Sequence, residues 1–255
     1  MREVLYPILL SLIAGSATGV GGLIVLAFGR ISDRLMGFLM GFAGGVMLVI
    51  SFLKLFIEAL TLISYLEVTF AFTLGALFMM CVDLTIPHIE SGRWERGPVD
   101  SKLLKTGIII ALGMSLHNFP EGLIVSASYL HLPKLGLFIA LMICLHNIPE
   151  GIATATPLRL AGVGRLKTMA LVLASGLTEP LGALVGVTIF STLGGGERLI
   201  GVGLAVAAGV MTYITLDELI PIAHEYSESG SKHTVSTGIL LGMLFAQLIT
   251  AAFNI

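Results

Sequence analysis

Leu116-His117-Asn118-Phe119-Pro120-Glu121-Gly122 and Leu145-His146-Asn147-Ile148-Pro149-Glu150-Gly151 are one word written twice, 29 residues apart. Each copy lies inside an apolar run long enough to cross a bilayer. An ionised side chain at the centre of a membrane helix costs about 2.5–3.5 kcal/mol on an insertion scale. Placing an imidazole, an amide and a carboxylate there twice, at one spacing, points to a ligand that offsets the cost. Imidazole with carboxylate suits zinc, and the amide oxygen adds a donor that iron or manganese accepts. His and Glu four residues apart share a helix face. The intervening Pro frees the carbonyl four residues back, Leu116 O or Leu145 O, so an irregular helix is expected at each copy. The closing Gly lets a neighbouring backbone approach.

Working outward, the 255-residue chain is 56% hydrophobic and 12% charged, against about 25% charged in soluble domains. At about 20 residues per crossing, eight helices fit, near 4–28, 35–60, 66–87, 103–128, 134–156, 167–192, 199–223 and 236–254. The expected fold class is an all-α membrane protein, one polytopic transmembrane domain over 1–255. The first run follows Arg2 and contains Ala14-Gly15-Ser16-Ala17, but it continues to Phe28, longer than a signal peptide's apolar region. A net charge of −2 gives nucleic acid no hold. Cys81 and Cys144 sit in apolar runs without Cys-x-x-Cys spacing and read as packing residues.

Basic loop residues set the orientation. Arg30, Arg34, Arg93, Arg96, Lys102, Lys105, Arg159, Arg165, Lys167 and Lys232 follow spans one, three, five and seven. Arg2, Lys134 and Arg198 lie on the other side. The first set is placed in the cytoplasm, and both termini face outward. The chain also repeats itself at offsets of 161, 164 and 167 residues. Gly15–Gly22 aligns with Gly176–Ala183, Gly45–Ala59 with Gly209–Ala223, and Leu74–Phe78 with Leu241–Phe245. Spans one to three thus recur as six to eight around two central spans, a 3+2+3 arrangement with the copies inverted. Inverted repeats mark secondary transporters with a site near the midplane.

Depth brings the two words together. His117 and His146 fall near the middle of antiparallel spans joined through 129–133, and Glu179, followed by Pro180, lies at similar depth in span six. Pro180 frees Gly176 O. Three unpaired ionised glutamates would cost about 8–10 kcal/mol; one or two divalent cations balance them. His117, Asn118, Glu121, His146, Asn147, Glu150 and Glu179 are therefore the candidate metal ligands. Asp83, His88, Asp217 and Glu218 are candidates for a pathway toward the cytoplasm. Lys54 is expected to pair with one of the membrane acids, Asp217 and Glu218 lying opposite it in the repeat, and His131, His224 and His233 read as solvated loop residues.

The repeated word, Thr178-Glu179-Pro180, and Asp217-Glu218-Leu219-Ile220-Pro221 together resemble the ZIP family of metal transporters, and within it a bacterial branch, over essentially the whole chain. The resemblance implies uptake of zinc, with iron, manganese or cobalt as further substrates, across a cell inner membrane with both termini periplasmic. It also implies a homodimer in the lipid bilayer, alternating access, and cations as cargo with no prosthetic group. Zinc would draw on His117, Glu121, His146 and Glu150, and ferrous iron more on Asn118, Asn147 and Glu179. Two features depart from the family: the loop Ile89–Ser101 is short and lacks histidine, and Ile57 precedes Glu58 where Pro is expected. Two rival readings use the same groups. A membrane-embedded zinc-dependent hydrolase lacks His-Glu-x-x-His here, and a proton-coupled carrier of organic substrates leaves the paired His-Asn unexplained.

Overall fold

The apolar runs fold as helices throughout. The computed structural model describes residues 2–29, 32–85, 101–192, 196–227 and 233–253, with side chains described for all of these except 2–4, 85, 101–110, 218 and 253. No strand occurs among the described residues. Helix α1 (Arg2–Phe28) is the first rod. The second is α2 (Asp33–Leu48), a π-helical segment (Val49–Leu55) and α3 (Phe56–Leu62). Helices α4 (Tyr65–Thr85), α5 (Ser101–His131) and α6 (Pro133–Leu160) follow. The sixth rod is α7 (Arg165–Gly176) and α8 (Thr178–Thr192). The seventh is α9 (Glu197–Ile214), a π-helical segment (Thr215–Leu219) and α10 (Ile220–Ser227); α11 (His233–Phe253) is the eighth. Among the described residues seven rods are long and apolar enough to cross a membrane, and α5, at 31 residues, is the other. The chain is a multi-pass membrane protein.

Local chemistry fixes the rod ends. Ser64 and Glu67 form a reciprocal capping box at the start of α4, the Glu67 carboxylate accepting from Ser64 N at 3.1 Å and the Ser64 hydroxyl from Glu67 N at 3.4 Å. Glu67 also accepts from Arg198 Nε at 2.9 Å, tying α4 to the start of α9. Pro133 opens α6, where its missing N–H costs nothing. Gly162, at φ +81°, closes α6 with Val163 N donating to Leu158 O at 3.1 Å.

The expected irregularity at the repeated word is not where the fold puts it. Helices α5 and α6 run unbroken through Pro120 and Pro149. There the freed carbonyl belongs to a leucine, a strong helix former, and the flanking bonds hold the turn. The break comes in the sixth rod. Pro180 crowds the carbonyl of Gly176, a poor helix residue, and Leu177 N–H turns back to Leu173 O and Ser175 O.

Helix α6 is the centre of the molecule. Of its most apolar window 72% is buried, against 22% for α4 and α11, which carry the outward apolar surface. It packs along α1 and α5, while α5 packs on α8, α2 on α11 and α4 on α9. Phe138, Ile139, Met142 and Ile143 of α6 meet Met36, Met40 and Met47 of α2 in the core. The closest approaches are made by glycine, as lipid-embedded helices require. A Cβ on Gly122 would collide with the Glu179 carbonyl of α8, and one on Gly151 with the Thr18 carbonyl of α1. The closing residues of the two words therefore seat the rods that complete the site.

Gly122→Ala should cost about 3 kcal/mol, the upper end for overpacking, because backbone cannot step aside as a side chain can. Thermal unfolding in detergent should show a midpoint lower by roughly 6–12 °C. Gly113→Ala, in the same helix but facing open space, should be neutral or slightly stabilising, and equal losses in the two variants would contradict the contact argument.

Candidate metal centre

The side chains of the two words meet across the α5–α6 contact. His117, Glu121, His146 and Glu150 place one ligand atom each within 4.8 Å of one another, all fully buried. His146 Nε2 lies 2.9 Å from Glu121 Oε1, and His117 Nε2 lies 3.1 Å from Glu150 Oε1 and 3.3 Å from Glu121 Oε1. Each imidazole thus faces the carboxylate of the other rod. Among the described residues, the ion-pair partners of these glutamates are imidazoles alone.

The hydrogen-bond inventory is incomplete in one direction. Oε2 of Glu150, Oε2 of Glu121, Oε2 of Glu179 and Nδ1 of both imidazoles are buried without a hydrogen-bond partner, while Glu150 Oε1 is met only by the His117 ring at 3.1 Å. Native interiors rarely leave such atoms unmatched, and an unmatched carboxylate is the costliest kind. Four of these residues, His117, Glu121, His146 and Glu150, bring lone-pair bearers within 4.8 Å of one another, an arrangement a divalent cation can use. Nitrogen and oxygen donors in this mixture suit zinc and its first-row neighbours.

The asparagines connect the centre to its walls. Asn147 Nδ2 donates to Ala14 O of α1 at 2.9 Å and to Glu179 Oε1 of α8 at 2.9 Å. Asn118 Nδ2 donates to Ser175 O of α7 at 3.0 Å. A carbonyl only accepts, so each amide must turn its nitrogen outward. Both Oδ1 atoms remain buried and without a partner. Ser175 O needs its donor because the helix has just ended, and the Thr178 hydroxyl supports the same break, 2.7 Å from Ser175 O and 2.8 Å from Ser115 O of α5.

All seven proposed ligands are therefore brought into one buried assembly, four at the centre and Glu179 and the asparagines around it. The pathway residues lie elsewhere. The Tyr213 hydroxyl sits 3.1 Å from Asp83 Oδ2 and 3.2 Å from Asp217 Oδ2, joining α4 to the π-helical turn of the seventh rod. His88 lies outside the described residues, as does the side chain of Glu218. Lys54 stands 5.8 Å from the Phe138 ring centroid, with Glu58 one turn further along its own rod.

His131 is not a loop residue. Helix α5 extends to it, and its Nε2 lies 2.7 Å from Glu58 Oε1 of α3, both half-buried. His224 and His233 are also helical, though exposed. Sequence reasoning did not find Tyr213 or the carbonyls of Ala14 and Ser175. Main-chain acceptors leave no compositional trace, and only the helix-breaking Gly176-Leu177-Thr178-Glu179-Pro180 pointed toward Ser175.

Residues 91–250 match the model of the ZIP zinc transporter family. The chain is 37% identical to a protein named zinc transporter ZupT from Chlorobaculum parvum, over 95% of each chain. It is 38% identical to the protein of that name from Oceanobacillus iheyensis, over 95% of this chain and 96% of the relative. With that from Corynebacterium aurimucosum it shares 34% over 99% of both.

Purified protein should bind zinc or cobalt(II) in detergent, and Glu121→Ala, which removes the carboxylate lying within 3.3 Å of both imidazoles, should weaken binding at least 100-fold. Titration calorimetry measures this directly; a wild-type-like isotherm for the variant would remove Glu121 from the ligand set.

Proposed function

We propose that this chain, which belongs to the ZIP zinc transporter family, takes up divalent cations across a cell inner membrane, zinc first among them, through the His/Glu centre between α5 and α6. The observation that carries the proposal is the set of buried carboxylate, amide and imidazole atoms left without hydrogen-bond partners. His117, Glu121, His146 and Glu150 form the inner ligand set. Glu179, held by Asn147, supplies a third carboxylate, and the Oδ1 atoms of Asn118 and Asn147 are the donors for iron(II), manganese or cobalt(II). The cation is cargo, so its release matters as much as its capture.

All seven ligands are fully buried. A cation reaches them only when a path opens to one side, and leaves only when a path opens to the other. An inverted repeat provides such alternation, because the two directions are then built from equivalent parts. Several features support reading α1–α4 and α7–α11 as inverted copies about α5 and α6. The π-helical segments Val49–Leu55 and Thr215–Leu219 overlap at an offset of 164. A Cβ on Gly45 would meet Ile239 O, and one on Gly209 would meet Phe72 O. Gly21 faces Ile148 O as Gly182 faces Phe119 O. Asn147 donates to Ala14 O as Asn118 donates to Ser175 O. Each pair interchanges under the offsets of the sequence repeat.

The basic loops put the ends of α1 and α6 at the cytoplasmic face and both termini outside. Asp83, Tyr213 and Asp217 then lie in the cytoplasmic half of the third and seventh rods and form the inner pathway with His88 and Glu218. An interior-negative potential of 100 mV contributes about 4.6 kcal/mol to moving a dication inward. The family resemblance makes the working unit a homodimer.

Radiolabelled zinc uptake into proteoliposomes tests the proposal. Wild type should show saturable uptake that an inside-negative potential accelerates, and Glu150→Ala should lose at least 90% of it. Equal uptake by the variant would sink the site assignment, and no uptake of any divalent metal by folded wild type would sink transport itself. In the same vesicles Asn147→Ala should depress iron(II) uptake at least tenfold and zinc uptake less than threefold.

A further inference from the structure

Thr18, on α1, is fully buried and its hydroxyl has no hydrogen-bond partner. A threonine or serine inside a helix normally returns its proton to the carbonyl four residues back. Ser16 does so, to Leu12 O at 2.6 Å. For Thr18 that carbonyl is Ala14 O, which already accepts from Asn147 Nδ2. The tie that holds Asn147 to α1 thus competes with the local partner that Thr18 would otherwise use. An unmet hydroxyl costs about 1–3 kcal/mol in a protein interior; Ser11, Ser51 and Ser128 bear the same cost, and what sets Thr18 apart is its place facing Gly176 of the rod that carries Glu179.

The geometry says which place it fills. A Cβ on Gly176 would lie 2.9 Å from Thr18 Oγ1, and a Cβ on Gly15 would lie 3.2 Å from Glu179 Oε2. Gly15 and Gly176 face each other's carbonyls. Residues 15 and 176, and 18 and 179, share the offset of 161. The oxygen of Thr18 therefore stands to α7 as the oxygen of Glu179 stands to α1. On the Glu179 side the asparagine is Asn147. On the Thr18 side the corresponding one is Asn118, whose Oδ1 is also buried and without a partner.

We infer that the Thr18 hydroxyl is a further oxygen donor of the cation site, occupying on the Asn118 flank the place that the Glu179 carboxylate occupies on the Asn147 flank. This rests on the transport reading above. Its consequence is that the two flanks are chemically unequal. One presents a carboxylate and an amide, the other a hydroxyl and an amide. A hydrated divalent cation meets a charged wall on one side and a neutral wall on the other. A site with carboxylates on both would hold its cargo too tightly to release it.

Two near-isosteric variants of the full chain test this, with zinc and cadmium as the probes and wild type measured beside them. Thr18→Val removes an unmet hydroxyl, so it should unfold at a higher temperature without metal, yet bind zinc three- to tenfold more weakly by calorimetry. Thr18→Cys replaces a hard donor by a soft one. It should tighten cadmium relative to zinc at least tenfold and add a thiolate-to-cadmium absorption that wild type, with only Cys81 and Cys144, lacks. If folded Thr18→Val and Thr18→Cys bind both metals as wild type does, Thr18 is not a ligand and the inference is overturned. Wild type that neither binds nor carries zinc overturns instead the transport reading beneath it.

Discussion

Glu121 Oε1 lies between two imidazoles, 2.9 Å from one and 3.3 Å from the other, and the rest of the structure is arranged to make that tolerable in hydrocarbon. A carboxylate at this depth needs positive charge or several donors. The protein supplies imidazoles and a few amide protons, and leaves other lone pairs unmet. The shortfall is local: the core around it, from Met36 to Phe190, is apolar and close-packed. Folding thus proceeds on burial and backbone bonding; Ser11, Ser51, Ser128 and Thr250 leave single hydroxyls unmatched elsewhere, but among the described residues the unmatched carboxylate and imidazole atoms are confined to His117, Glu121, His146, Glu150 and Glu179.

Confinement depends on how closely the rods approach. Gly122 and Gly151 seat the backbones of α8 and α1 against α5 and α6. That closeness carries Glu179 to Asn147 and Ala14 O to the same amide. The asparagines consequently have two duties. Their nitrogens answer backbone carbonyls, and their oxygens, buried without a partner, are the atoms proposed for the cation. An alanine at either position loses both functions together, so packing and ligand chemistry are coupled at these two residues.

Much of this was legible in the chain. The eight rods, their ends to within a few residues and the convergence of the repeated word follow from hydropathy and from rise per residue, because a membrane allows few alternatives. Glu179 was readable because a charged residue at mid-depth is conspicuous. What resisted reading was local balance. Pro120 and Pro149 looked like helix breakers and were not, whereas Pro180 was, and the difference lay in whether leucine or glycine stood four residues back. His131 looked like a loop residue because a helix end blurs by a few positions, and three residues more of α5 bring it to Glu58. Thr18 was invisible for another reason: its hydroxyl is notable only through the prior use of Ala14 O by an asparagine 133 residues away.

The interruption of the sixth rod at Leu177 has an electrical side. Two helices meet there head to tail, and a helix carries about half a positive charge at its N-terminus and half a negative charge at its C-terminus. The end of α7 offers carbonyls, and the first turn of α8 contains Glu179. The positive pole of α8 therefore lies beside that carboxylate, and the negative pole of α7 lies head to tail against it. The two poles cancel at a distance, so Glu179 feels only the near field of the first turn of α8, a local stabilisation of its charge that belongs to the fold and needs no bound cation.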